Sequence, residues 1–240
     1  MRFGYLAVIS FMILNCQKSI VPDLIQQGYY PAFLNKEWIY EIDSVTFDVG
    51  PAGIIQRASK SYLREIIQDT FTDGTGTLAY LITREVSDHK EGPWQFSRQD
   101  IVQTRFNGIE KVEDNLRFLK IRYPAKEGLS WNGNIYFDAR LRITVEGEPL
   151  EVYKNWSSSY AQVDYPVNLG GVRYPHALKI TLAESESKIE LRKGHEIYAY
   201  EVGLIYKELQ IMDTQNISDL PWEQKAEKGF ILKQTLLTFK

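Results

Sequence analysis

Cysteine occurs once in the 240 residues, histidine three times and methionine three times. A single cysteine excludes a disulfide framework and a cysteine-rich metal site. Positive charge is not in excess: 28 Lys and Arg stand against 31 Asp and Glu, a formal net charge of -3. Phosphate neutralisation therefore cannot drive partner choice, and no nucleic-acid partner is expected. No apolar run reaches the ~20 residues that a spanning helix needs. A dinucleotide fingerprint, a phosphate loop and a G-x-S-x-G elbow are all missing, so no cofactor is expected and no reaction is named. Internal repeats, low-complexity runs and a linker-like stretch are also missing, which leaves one domain over 29–240.

What is present begins at the N-terminus. Met1 and Arg2 precede an apolar-to-small run, Phe3 to Leu14, with no polar face. A basic start followed by an apolar stretch of this length is an export signature rather than a core helix. The run ends Ile13-Leu14-Asn15-Cys16-Gln17-Lys18, and its cysteine is the chain's one thiol. This segment resembles a bacterial lipoprotein signal. The resemblance implies a signal peptide over 1–15, a Cys16 that carries fatty chains such as palmitate, and a lipidated tether over 16–28. Two or three chains on one residue anchor durably, since each buried CH₂ adds about 0.8 kcal/mol. Gln17 is not the Asp that retains some lipoproteins in the inner membrane. The resemblance thus implies the periplasmic face of the outer membrane. Pro22 and Gly28 suit one helical turn in the tether.

From Tyr29 onward the period is two. Trp38, Tyr40 and Ile42 alternate with Glu37, Glu41 and Asp43. Leu119, Ile121 and Tyr123 alternate with Lys120 and Arg122. Leu141, Ile143 and Val145, then Leu178, Ile180 and Leu182, repeat the pattern. Alternation puts one face in a core and the other in water, as in an antiparallel sheet. Turns are marked by Asp73-Gly74-Thr75-Gly76, Asn107-Gly108, Asn132-Gly133, Gly170-Gly171 and Lys193-Gly194. Ten to twelve strands follow, enough for an open sheet to curl or close. The expected fold is mainly β with little helix. It is a single large curved antiparallel sheet, half-barrel or barrel, similar to lipocalins and lipoprotein carriers. A short helix is expected over Pro221–Lys228, capped by Asp219 and stopped by Gly229, before a closing strand Phe230–Phe239.

The chemistry-bearing residues are few. His89 sits in a loop-like Asp-His-Lys-Glu, and His176 and His195 fall at expected strand starts. No metal ligand set emerges from them. Ser157-Ser158-Ser159 is a polar cluster without a nucleophile signature, and Glu184-Ser185-Glu186 and Glu146-Gly147-Glu148 read as solvated turns. No catalytic residue is assigned; the chain leans towards a non-enzyme, and enzymatic activity is left open. The aromatic content, 15 Tyr, 11 Phe and 5 Trp, suits a large β core or the lining of an apolar pocket.

Two further segments resemble uncharacterised lipoproteins of the Bacteroidetes. One is Tyr30-Pro31 through Trp38-Ile39-Tyr40-Glu41-Ile42-Asp43-Ser44. The other is Tyr198-Ala199-Tyr200-Glu201-Val202-Gly203-Leu204-Ile205-Tyr206-Lys207-Glu208. The resemblance implies an envelope-anchored β-rich protein and carries over no catalytic residue. Physically, Gly203 fits a bulge or a close backbone approach, and Trp38 and Tyr40 fit inward positions. The function expected is an envelope binding or scaffold module for an apolar ligand or a partner protein. The alternatives are a periplasmic hydrolase acting on glycan or ester, and an accessory subunit of an outer-membrane assembly.

Overall fold

The computed structural model describes residues 28–51 and 53–240. The signal, Cys16 and the tether up to residue 27 lie outside the described residues. The first half of the chain is a meander: β1 (Glu37–Gly50), β2 (Gly53–Thr72), β3 (Leu78–Ser87), β4 (Gln95–Arg105), β5 (Gly108–Glu113) and β6 (Leu116–Arg122). A long connection carries β7 (Ser130–Trp131) and a two-stranded ribbon, β8 (Ile143–Val145) and β9 (Glu148–Leu150). Then come β10 (Ser158–Leu169), β11 (Val172–Glu186), β12 (Glu190–Ala199), β13 (Gly203–Asp213), the single turn α1 (Trp222–Lys225) and β14 (Lys228–Phe239).

Twelve of these strands form one antiparallel sheet in the order β6-β5-β4-β3-β2-β1-β14-β13-β12-β11-β10-β7. It is a nearly closed barrel, as the patterning leads one to expect. The expected closing strand is not at the seam: β14 pairs with both β1 and β13 at the sheet's centre. The seam lies between β6 and the segment around β7. There the Leu119 amide donates to the Gly133 carbonyl at 2.9 Å, and Trp131 Nε1 donates to the Leu119 carbonyl at 2.9 Å. Asn132-Gly133 therefore serves the seam and not a hairpin.

Other expectations are corrected by packing. The helix is shorter than expected, and neither Asp219 nor any other side chain caps it. Gly229 does not stop it. Gly229 is the second residue of β14, at φ +127, where an added Cβ would lie 2.1 Å from the Ile211 carbonyl oxygen. Lys193-Gly194 is not a turn but mid-β12, its glycine backed by Leu209. Leu141 lies outside β8, and Glu184–Glu186 ends β11.

The core fills the concave side: Trp38, Tyr40, Ile67, Ile82, Ile109 and Ile205 are almost wholly buried. Burying a side chain of this size adds about 1.5–3 kcal/mol each. The β8–β9 ribbon and the residues after it fold over this concave side, so that Ile143, Val145, Tyr153 and Trp156 pack onto the core. The strand directions separate two ends. The chain enters at Gly28, whose carbonyl accepts from the Glu201 amide in the β12–β13 turn. The same end carries the β2–β3 and β4–β5 turns and the end of β14.

Candidate functional site

The inward residues of several strands are charged, against the expectation of a purely apolar inner face. On β2 they run Leu63, Glu65, Ile67; on β5, Ile109, Lys111, Glu113; on β13, Ile205, Lys207, Leu209. Lys120 is the plainest departure. It was expected on a wet face, yet it is buried. The β5–β6 register skips one residue between Ile109/Glu110 and Ile121/Leu119, and Lys120 is the extra residue. A bulge re-aims a side chain, and this one sends Lys120 inward.

These groups line a cavity of about 340 Å³ inside the barrel. One row crosses five strands at the same level through paired residues: Glu196, Lys207, Gln234, Ile42 and Ser61. Val86 and Arg98 lie toward the strand ends away from the chain's entry, Asp114 is in the β5–β6 turn at that end, and Ser61 is beside them on β2, next to the point where β3 stops, so the cavity opens at that far end. The floor is aromatic: Tyr30 packs on Trp38 and Tyr198 with ring centroids 6.2 and 6.3 Å apart. A smaller space of about 200 Å³ adjoins it under the β8–β9 ribbon, sharing Glu113, Lys120, Tyr153 and Lys207.

The charges are largely matched to one another. Lys111 Nζ reaches Glu65 at 3.2 Å, Glu113 at 3.1 Å and Asp100 at 3.7 Å. Arg84 meets Asp100 at 3.2 Å and Glu65 at 3.4 Å. Lys120 bridges Glu113 at 3.0 Å and Glu196 at 3.2 Å. Tyr198 donates its hydroxyl to Glu196 at 2.7 Å. Burial pushes the Lys111 ammonium down, but Glu65, Glu113 and Asp100 outweigh it and hold the group well above the usual lysine value. Burial likewise works against Glu113, and Lys120 and Lys111 keep its carboxyl well below the usual range. Glu65 and Glu196 are lowered in the same manner, by Lys111 with Arg84 and by Lys120 with Lys207.

Lys207 is the exception. Its nearest carboxylate oxygen, on Glu196, is 3.7 Å away. Burial and then Lys120 lower its ammonium, and Glu113 and Glu196 do not offset them. Three more polar groups face the cavity without a hydrogen-bond partner among the described residues: the hydroxyls of Tyr30 and Tyr40 and the amide of Gln234. Burial raises both hydroxyls above the ordinary tyrosine value, so they stay protonated donors. Trp156 Nε1, beside the adjoining space, also has no partner among the described residues.

The lowered carboxyls give a pH prediction with a definite sign. In the unfolded chain these glutamates titrate near ~4.3, whereas in the fold they release protons more readily. As pH falls through the unfolded value, the unfolded state binds protons first, and stability is lost. The urea midpoint is expected to hold steady above about pH 5 and to fall steeply below it. A midpoint unchanged by acidification into the glutamate range would show that the network is not matched inside the fold.

The residues singled out in the sequence lie elsewhere. His89 is in the β3–β4 loop. His176 is within β11, exposed, with Nδ1 2.6 Å from Asp164. His195 is mid-β12 rather than at a strand start. It stacks on Tyr206 at 5.5 Å, and burial lowers its pKa. Ser158 opens β10 and is buried, and Ser157–Ser159 form no hydrogen bond with any histidine among the described residues. The sequence reading thus missed the charged interior. The signal was there: acids and lysines stand in phase with core positions two residues away, as in Leu63-x-Glu65-x-Ile67.

No family model matches the chain, and no curated protein matches it. Solved structures of related shape include a protein inferred to be exported, with a YmcC-like fold, from Bacteroides fragilis. It is 10% identical, with 88% of this chain and 98% of that chain covered and a TM-score of 0.45. Another is a protein inferred to be a lipoprotein, from Parabacteroides distasonis. It is 11% identical, with 89% of this chain and 98% of that chain covered and a TM-score of 0.36.

Proposed function

We propose that the chain is a lipid-anchored module of the cell envelope that holds a ligand inside its barrel without transforming it. The observation that carries the binding half is the interior cavity: it is floored by aromatic rings and lined by matched buried charges with free polar groups between them. Its size falls within the ~300–1,000 Å³ of ordinary ligand sites. The N-terminal Arg2, the Phe3–Leu14 run and Cys16 support the anchoring half.

The two halves fit one orientation. Twelve residue steps lead from Cys16 to Gly28, a reach of at most ~40 Å. The entry end would then face the bilayer, and it exposes Phe33, Phe71, Phe106 and Phe239. Apolar rings at a membrane-facing end favour the headgroup boundary. The cavity mouth is at the other end and faces the aqueous compartment. A ligand would enter from water and not from the lipid.

Changing Cys16→Ser is expected to move the protein from the envelope membranes to the soluble fraction and to abolish incorporation of labelled palmitate. Fractionation unchanged by the substitution would sink the anchor. For the binding half, the protein would be isolated from its own cells and its bound small molecules identified by mass spectrometry after denaturation. A stoichiometric polar compound released on unfolding supports the reading, and an empty cavity in every preparation counts against it.

A further inference from the structure

We propose that the interior cavity takes a neutral, hydroxyl-rich ring compound, one or two sugar rings in size. This rests on the reading of the barrel interior as a binding site and names what that site accepts.

The polar groups select against the alternatives. Arg84, Lys111 and Lys120 are committed to Glu65, Asp100, Glu113 and Glu196 within the network. A ligand with a full charge would find its counter-charges already engaged and like charges beside them. An apolar ligand would cover the free hydroxyls of Tyr30 and Tyr40, the Gln234 amide and the Lys207 ammonium. All four would lose access to water and gain no hydrogen bond, which is unfavourable for each. A hydroxyl-bearing ligand avoids both losses, since every hydroxyl both donates and accepts. It can accept from Lys207 and exchange bonds with both phenols and the amide.

The rings supply the other half of the fit. Trp38, Tyr62, Tyr153 and Tyr198 share the lining with these groups. A pyranose carries C–H bonds on its faces and hydroxyls on its rim, and an aromatic wall with polar groups around it matches both. Trp38 presents only carbon to the cavity, because its Nε1 is spent on the Val202 carbonyl at 2.5 Å.

The test uses the full mature chain carrying Cys16→Ser, which needs no detergent, so that none fills the cavity. Glucose, N-acetylglucosamine, lactose, octanoate and inorganic phosphate are the probes, read by saturation-transfer NMR and by titration calorimetry. At least one neutral sugar is expected to bind. Tyr40→Phe removes one hydroxyl and should weaken it about threefold to tenfold, and Lys207→Met should weaken it by roughly tenfold. Ser61→Trp, at the mouth and outside the buried core, should abolish binding while the circular dichroism and unfolding midpoint stay as in the parent. Octanoate or phosphate binding that Ser61→Trp blocks, with the sugars silent, would leave the interior site standing and overturn the ligand class. Sugar binding indifferent to all three substitutions would place the sugar outside the barrel and overturn both. No binding by any probe would overturn both as well.

Discussion

Replacing Lys111 by methionine is expected to lower folding stability by about 3–5 kcal/mol, the usual result of removing one member of a buried ion network. The length and most of the apolar stem are kept, so the loss is electrostatic. Lys111 is 5% exposed and stands among Glu65, Asp100 and Glu113. Without it three carboxylates remain inside the barrel, Asp100 held by Arg98 and Arg84, Glu65 by Arg84, and Glu113 by Lys120. Two consequences are separable in urea unfolding. Lys111→Met alone should shift the midpoint strongly. Lys111→Met with Glu65→Gln should cost clearly less than the two single losses added, a coupling of roughly 0.5–3 kcal/mol. A single-variant loss below about 1 kcal/mol, the range of exposed pairs, would mean that water screens the network and that the cavity is open at its base.

That network also marks where the sequence stops being legible. The sheet was legible because the wet and dry faces of β1 and β11 differ cleanly: Trp38 and Tyr40 against Glu37 and Glu41, Leu178 and Ile180 against Lys179. The chain there obeys a single rule, apolar inward and polar outward. Gly203 was legible too. At φ +105 it lets β13 start against Trp38, where an added Cβ would be 3.1 Å from the indole nitrogen. The site was not legible, because a barrel has an inside that is partly wet. Where part of the concave side holds space rather than side chains, polar residues appear at core phase, and the alternation that defines the strand no longer tells which face is the solvent. The bulge at Lys120 defeats the pattern by another route. It advances the phase by one residue, and a reading that keeps strict period two puts Lys120 outside. Pairing across the barrel is also invisible locally: Lys120 and Glu196 are 76 residues apart in sequence and 3.2 Å apart in the fold. The short helix failed for a different reason. Gly229 looked like a stop signal, but its conformation serves the close approach of β14 to β13.

The floor of the barrel carries the other large expected effect. Trp38 is 2% exposed. Its ring packs against Tyr30, lies 5.8 Å from the buried Lys36 ammonium and covers Gly203, and its Nε1 donates to the Val202 carbonyl. Trp38→Ala should therefore cost about 3–5 kcal/mol through lost burial and the void left behind. At about 2–4 °C per kcal/mol for a domain of this size, the melting temperature should fall by roughly 6–20 °C. Trp38→Phe separates the two contributions. It keeps much of the apolar contact and leaves the Val202 carbonyl without its donor, which should cost about 1–3 kcal/mol. The order parent, Trp38→Phe, Trp38→Ala in thermal unfolding is the expected one. Equal losses for the two variants would assign the effect to the hydrogen bond, and the aromatic floor would then not be what closes the cavity at the chain's entry end.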